Sequence, residues 1–147
     1  MEDKKIKGII FDCIGVFTEN FKLVQFVKDY NKNSEKEDEA IKLMLGLWFK
    51  ARVGEIDSNL FWTEQAKFHE VTVEEYKKSF TEYLGLRPKV ITLAKGLAKN
   101  YKTAVLSNHI KDWFEDFLKA NDLENTFDFL APSYDLKVSK PDHKAYN

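Results

Sequence analysis

The sequence has a single cysteine among its 147 residues. One cysteine excludes an internal disulfide framework and is typical of a protein that folds in a reducing cytosol. The chain also lacks a long block of like charge, because 23 Lys and Arg residues stand against 24 Asp and Glu residues, for a formal net charge of -1. This balance favours neither a nucleic-acid-binding nor a membrane-binding surface.

Long hydrophobic runs are missing as well. No apolar segment reaches the length of a membrane span, and residues 1–5 lead into an apolar strand without a signal region. We therefore predict a soluble, cytoplasmic protein. Apolar residues are nevertheless plentiful, at 44% of the chain, with 12 Phe, 6 Tyr and 3 Trp. That content is sufficient for a packed core in one domain, or in one domain with a modest insertion.

The apolar segment 6–11 ends at Asp12, and Gly15 follows three positions later. The segment shows no polar alternation, which is typical of a strand covered on both faces at the centre of a parallel sheet. Ligands of open α/β sheets bind beyond the carboxyl ends of the strands, where Asp12 would lie. Spacing alone supports a functional and a turn-closing role for Asp12 equally, because Asp often closes strands into turns. Gly15 would permit the turn that leaves the sheet.

Between residues 18 and 86 the apolar residues recur at helical spacing and predict four helices. The first would place Phe21, Val24, Val27 and Tyr30 on one face. The starts of the other three carry N-cap signals: Ser34 with Glu37, Asp57, and Thr72 with Glu75. Downstream, the pattern predicts a helix over 88–100, a strand over 103–107, a second helix and a strand over 127–131.

The order of these elements predicts an α/β fold with a Rossmann-like parallel sheet. The core would consist of residues 1–17 and 88–147, interrupted by an all-α four-helix cap at residues 18–87. No internal repeat or low-complexity segment divides the chain further.

Four segments, at residues 11–17, 51–57, 103–108 and 133–142, together resemble the haloacid dehalogenase (HAD) superfamily. Residues 11–17, Phe-Asp-Cys-Ile-Gly-Val-Phe, are similar to its first motif in the form F-D-x-G-G-V-L. Residues 103–108 resemble the second motif, an apolar strand that ends in Ser/Thr-Asn, and residues 133–142 resemble the third, whose lysine precedes Pro-Asp. Residues 51–57, followed by Phe61-Trp62, are similar to a cap segment. The resemblance covers nearly the whole chain.

The resemblance implies a hydrolase that acts on a small phosphorylated metabolite. Asp12 would attack phosphorus, or occasionally carbon, and form a covalent intermediate. Mg²⁺ would be bound by the Asp12 carboxylate and the Ile14 backbone carbonyl. Ser107 would donate to the phosphoryl oxygens and Lys140 would neutralise their charge. Asn108 and Gly15 would contribute to substrate binding.

Each of these residues alone has a simpler interpretation. Ser107-Asn108 by itself is typical of a helix cap, and Lys140 by itself of a solvated lysine. Lys50 and Arg52 would attract an anionic substrate from the cap, or equally would complement a helix dipole. His109 is the one histidine near the predicted site, and we interpret it as a loop residue.

Two departures from the family pattern separate the functional hypotheses. Ile14 occupies the position where the family's phosphatases carry an acid–base Asp and its dehalogenases a Tyr; the loss of positioned acid–base catalysis typically costs about 10²–10⁴-fold. The fourth, acidic motif has no counterpart, so the sequence predicts a truncated member with an exposed edge on strand 6–13 that could self-associate. Two hypotheses stay open: an impaired phosphatase that forms an aspartyl-phosphate, and an inactive HAD-like protein that serves binding or assembly.

Overall fold

The computed structural model describes residues 6–31 and 35–147. Its strands and helices alternate as the sequence predicts, with four helices between the first strand and the next α/β unit. In chain order they are β1 Gly8–Phe11, α1 Leu23–Tyr30, α2 Glu37–Ala51, α3 Ser58–Phe68, α4 Val73–Leu84, α5 Pro88–Leu97, β2 Lys102–Ser107, α6 Lys111–Ala120, β3 Phe129–Pro132 and α7 Ser133–Leu136, followed by a 3₁₀ turn, His143–Tyr146. None of the helices in the described ranges is long and apolar enough to cross a membrane.

The three described strands form one parallel sheet in the order β1-β2-β3. Phe11 lies opposite Val105, which in turn lies opposite Leu130. Because the strands are parallel and in register, their carboxyl ends meet at one edge of the sheet. Asp12, Asn108 and the start of α7 are therefore brought to the same edge. The predicted α/β fold with a Rossmann-like sheet is confirmed.

Among the described residues, β1 is an edge strand with one open face rather than the central, doubly covered strand that its apolar run suggests. In the described part of the chain it pairs with β2 alone. Ile10, Ala104 and Phe129 share a register line on one face, and Ile10 and Phe129 are 70% and 68% exposed. On the opposite face Val105 is fully buried. An apolar run indicates which residues favour burial. It does not determine which other segments of the chain pack over them.

The helices between β1 and α5 pack around a shared aromatic core. Trp62, Tyr76 and Phe80 are fully buried, and Phe80 lies 5.6 Å from Trp62 between ring centroids. The capping box of α4 is confirmed, since Thr72 N donates to Glu75 Oε2 at 2.8 Å and Glu75 N donates to Thr72 Oγ1 at 3.2 Å. The predicted cap of α3 is confirmed as well, with Asp57 accepting from Asn59 N. The predicted Ser34 cap of α2 lies outside the described residues.

The predicted buried face of the first helix is partly wrong. Helix α1 buries Phe26 and Val27, whereas Phe21 lies before the helix and is 60% exposed. The predicted face consists of residues spaced three apart along the chain. Each such step falls about 60° short of a full turn, so a run of them crosses from one side of the helix to the other.

Helix α6 connects this helical layer to the sheet. Asp112 accepts from Trp62 Nε1 at 2.9 Å and forms an ion pair with Lys77 at 2.5 Å. Trp113 Nε1 donates to Thr81 Oγ1 at 3.0 Å. These contacts join α3 and α4 to the segment that follows β2, where predicted site residues lie.

Candidate active site

Asp12 directly follows β1, and its carboxylate is partly exposed at the strand end. Its Oδ1 accepts from Cys13 N at 2.7 Å, and its Oδ2 lies 2.9 Å from Lys140 Nζ. Gly15 has φ +81°, a conformation that L side chains rarely adopt, and permits a tight turn there. The Gly15 amide donates to Thr18 Oγ1 at 2.9 Å. The turn therefore carries the chain away and leaves the carboxylate at the sheet edge.

Lys140 is held in place from two sides. Its Nζ donates to Leu106 O at 2.8 Å as well as contacting Asp12. The Asn108 side chain binds both backbone groups of Lys140: Nδ2 donates to Lys140 O at 3.0 Å, and Oδ1 accepts from Lys140 N at 2.9 Å. Asn108 thus fixes the position of Lys140, a contact that its place in the sequence did not indicate.

These residues line a cleft of about 290 Å³. Asp12, Ile14, Asn108 and Lys140 line it from the sheet edge, and Phe21, Leu23, Trp48 and Arg52 line it from the helical layer. The volume is slightly below the range typical of small-molecule sites, which indicates a small ligand. A larger groove of about 460 Å³ between α4 and α6 contains none of the predicted site residues.

Two other predicted site residues, Ser107 and Gly15, differ in position from Asp12, Asn108 and Lys140. Ser107 is 1% exposed, and its hydroxyl has no hydrogen-bond partner in the described part of the protein. Neither Ser107 nor Gly15 is among the described residues that line the cleft. Their roles in phosphoryl and substrate binding stay predictions. Phe21, Leu23 and Trp48 were missed, because helical periodicity does not distinguish an apolar residue facing the core from one facing a cleft.

His109 lies in the packing between the sheet and the helical layer. Its ring stacks on Trp113 with centroids 4.3 Å apart and lies 5.1 Å from Trp48. Burial lowers the pKa of His109 to about 3, so the ring is neutral near pH 7. Its backbone N–H donates to Ser133 Oγ at 3.1 Å, and Ser133 Oγ donates to the carbonyl of Arg52. Ser133 thereby connects the segment after β2 to the end of α2.

The residues around Asp12 do not form a complete magnesium site. Mg²⁺ requires a nearly octahedral set of oxygen ligands. Asp12 is the one carboxylate among the described residues lining the cleft, and it is already paired with Lys140. Within residues 6–31 and 35–147, no group of three or more His, Cys, Asp or Glu side chains is arranged to hold a metal ion. The Ile14 carbonyl adds at most one further ligand.

Comparison with solved structures finds proteins that share this fold. A HAD family enzyme from Bacteroides thetaiotaomicron has a TM-score of 0.76 and 19% identity, covering 97% of this chain and 76% of its own. The same enzyme in complex with magnesium and inorganic phosphate has a TM-score of 0.70 and 19% identity, and the match covers 94% of this chain and 74% of the enzyme. L-2-haloacid dehalogenase from Xanthobacter autotrophicus has a TM-score of 0.56 and 20% identity, and the match covers 97% of this chain and 62% of the dehalogenase. At these identities the likeness is one of fold.

Comparison at the level of sequence identifies the family more specifically than the fold does. No curated protein matches the chain. The family model for haloacid dehalogenase-like hydrolases matches residues 9–147, a span that includes Asp12, Asn108 and Lys140. Because that match covers nearly the entire sequence, the chain belongs to the haloacid dehalogenase-like hydrolase family.

Proposed function

We propose that this protein hydrolyses the phosphate ester of a small phosphorylated metabolite, with Asp12 as the nucleophile. The observation that carries the proposal is the Asp12 carboxylate at the cleft, with Lys140 Nζ 2.9 Å from its Oδ2. Family membership alone does not choose between phosphorus and carbon chemistry, since the structural neighbours include a dehalogenase. Two cationic side chains, Arg52 and Lys140, line the cleft and favour an anionic phosphate ester.

In the proposed reaction, an oxygen of Asp12 attacks phosphorus and the bond between phosphorus and the leaving-group oxygen breaks. The product is an aspartyl-phosphate and an alkoxide or phenoxide. Water then cleaves the aspartyl-phosphate, which releases inorganic phosphate and restores the carboxylate. The Lys140 ammonium stabilises the charge on the non-bridging oxygens, and Asn108 keeps Lys140 in position. Ser107 is proposed as a hydroxyl donor to the same oxygens.

The cleft has no general acid at the position two residues after the nucleophile. Ile14 lines the cleft there and cannot protonate a leaving group. We therefore expect turnover to depend steeply on the acidity of the leaving alcohol. A series of aryl phosphates from 4-nitrophenyl to phenyl phosphate tests this, with kcat plotted against the pKa of the leaving group. Absence of turnover on every ester would contradict the proposal.

Magnesium is proposed as a cofactor because a structural neighbour was crystallised with magnesium and phosphate. Asp12 and the Ile14 carbonyl would be its ligands in this chain. The described residues supply only part of the oxygen ligand set that the ion requires. The aryl phosphate assay, run with added Mg²⁺ and after chelation, tests the requirement directly.

Replacing Lys140 by Met should lower kcat for an activated aryl phosphate about 10²–10³-fold, the effect typical of losing one electrostatic stabiliser of the transition state. The reason is that the ammonium group is placed at the nucleophile, where negative charge develops. Steady-state kinetics measures the effect. Lys144→Met makes the same chemical change at an exposed residue nearby in the chain and should leave kcat unchanged. Equal activity of the two variants would contradict the role of Lys140.

A second candidate function, self-association, is favoured by the open apolar face of the sheet. We propose that a second copy of the chain pairs with the edge of strand 6–13, since β1 has one strand neighbour in the described part of the chain and Ile10 is 70% exposed. Burial of one Ile side chain contributes roughly 1.5–3 kcal/mol, so Ile10→Lys should weaken the dimer at least about tenfold. Light scattering over a concentration series measures this.

Leu93→Lys is the matched control for the association test, because Leu93 is 58% exposed on α5 rather than on β1. It should leave the dimer intact. A wild-type chain that stays monomeric at every concentration would contradict the association.

A further inference from the structure

Arg52 lines the same cleft as Asp12 and has no anionic partner among the described residues. The ion pairs found in residues 6–31 and 35–147 do not include it. Its Nε is buried and has no hydrogen-bond partner there. Arg52 is only partly exposed, and burial lowers the pKa of its guanidinium. A charge withdrawn from water in this way is unfavourable unless a partner compensates it.

The charges that line the cleft leave Arg52 uncompensated. Asp12 is the one lining carboxylate among the described residues, and it pairs with Lys140 at 2.9 Å. The described residues that line the cleft therefore include two cationic side chains and one carboxylate. A phosphoryl group at Asp12 would lie close to Lys140, so Arg52 is available to a different part of the same ligand.

The alternative explanation, that Arg52 complements the dipole of α2, is less well supported. Arg52 is the C-terminal cap residue of α2, and its backbone N–H donates to Trp48 O at 3.0 Å. A side chain serving the helix end would bind the last carbonyl groups. No side-chain hydrogen bond of Arg52 to a described carbonyl is present; its guanidinium lies 4.5 Å from the centre of the Phe49 ring.

The position of Arg52 is also fixed. Ser133 Oγ donates to the Arg52 carbonyl and accepts from His109 N, so the end of α2 is bound to the two segments that follow β2 and β3. The guanidinium group itself packs over the Phe49 ring. A preorganised guanidinium loses less side-chain entropy on binding than a freely rotating one.

We propose that Arg52 binds a second anionic group of the substrate, on the portion that leaves when phosphate is transferred to Asp12. The substrates would then be small phosphorylated acids, carrying a carboxylate or a second phosphate, rather than neutral phosphate monoesters. A guanidinium can bind either group through two parallel N–H···O bonds. This inference rests on the proposed function for the position of the transferred phosphoryl group.

A pair of matched substrates tests the proposal. Phenyl phosphates that carry either a carboxymethyl or the isosteric neutral carbamoylmethyl group, at the meta or para position, differ in charge while remaining close in size and in the acidity of the leaving phenol. The wild-type protein should favour the carboxylate about 10- to 100-fold in kcat/KM, the range expected of a hydrogen bond to a charged group. Most of the difference should lie in KM. A bisphosphorylated ester of similar size then distinguishes a preference for phosphate from one for carboxylate.

Arg52→Met keeps most of the side-chain stem and removes the charge. It should abolish the preference for the carboxylate, because kcat/KM should fall about 10- to 100-fold more for the carboxylate ester than for the carboxamide ester. Arg87→Met, the same change at an exposed arginine outside the cleft, should retain the preference. Equal use of the two esters by wild type, or equal losses on both esters in Arg52→Met, would overturn the proposal.

A binding measurement keeps this inference separate from the proposed reaction. Non-hydrolysable benzylphosphonates with the same carboxylate and carboxamide substituents can be titrated calorimetrically without metal. One outcome is that no ester is turned over, while the carboxylate phosphonate binds about tenfold more tightly to wild type than to Arg52→Met. The proposed reaction is then wrong, and the proposed role of Arg52 is retained. If the two phosphonates bind equally, the role of Arg52 is wrong whatever the turnover.

Discussion

Replacement of Asp12 by Asn is expected to lower kcat on activated aryl phosphates by at least about 10³-fold, as typical for removal of a nucleophile. The amide has nearly the shape of the carboxylate and can still accept a hydrogen bond from Cys13 N, which lies 2.7 Å from Oδ1. It is a far weaker nucleophile toward phosphorus, because the oxygen of the neutral amide carries much less negative charge than an oxygen of the carboxylate. Phosphate release under saturating substrate measures the loss.

Asp116→Asn is the matched control, because Asp116 is an exposed residue of α6 outside the cleft. It should retain wild-type activity. Mass spectrometry of acid-quenched protein should find the phosphoryl adduct on the wild-type peptide containing Asp12 and none in Asp12→Asn. Undiminished turnover in Asp12→Asn would show that another group, or another protein in the preparation, performs the hydrolysis.

Introducing an acid at position 14 is expected to have the opposite effect. Ile14→Asp should raise kcat on unactivated alkyl phosphates by about 10²-fold or more, the lower end of the contribution of a positioned general acid. Ile14 lines the cleft two residues after the nucleophile, so a carboxylic acid there can reach the leaving oxygen. The neighbouring Asp12 carboxylate would raise the pKa of the new group and help to keep it protonated. Activated aryl esters, which need little protonation, should gain almost nothing.

Comparison of Ile14→Asp with Ile14→Asn distinguishes the effect of proton transfer from the effects of side-chain polarity and size. Ile14→Asn should give no gain on alkyl phosphates, and a similar gain in both variants would contradict the acid–base explanation. Ile14 packs against the core, so both substitutions should lower the free energy of unfolding by about 1–3 kcal/mol. Thermal unfolding of the two variants checks that their kinetic difference does not arise from unequal folding.

The amino-acid sequence by itself predicted the elements and residues whose signals are local. Thr72 with Glu75 identified the start of α4, since a capping box involves residues within one helical turn. The stripe of α6 from Trp113 to Leu118 is buried as its spacing indicates. Asp12 and Asn108 follow the neighbouring parallel strands β1 and β2, whose carboxyl ends must meet at one edge of the sheet, whereas Lys140 was implied by the family resemblance alone.

Only the tertiary structure decided which side chains share the cleft. The sequence alone does not distinguish Lys50 from Arg52, yet Lys50 is exposed, whereas Arg52 lines the cleft and forms no ion pair within the described part of the chain. Asn108 binds the backbone of Lys140, and one face of β1 stays open. Periodicity determines which side of a segment is apolar, whereas the neighbour on that side depends on contacts between residues far apart in the chain. Those contacts form through packing of the whole fold, so local sequence patterns do not specify them.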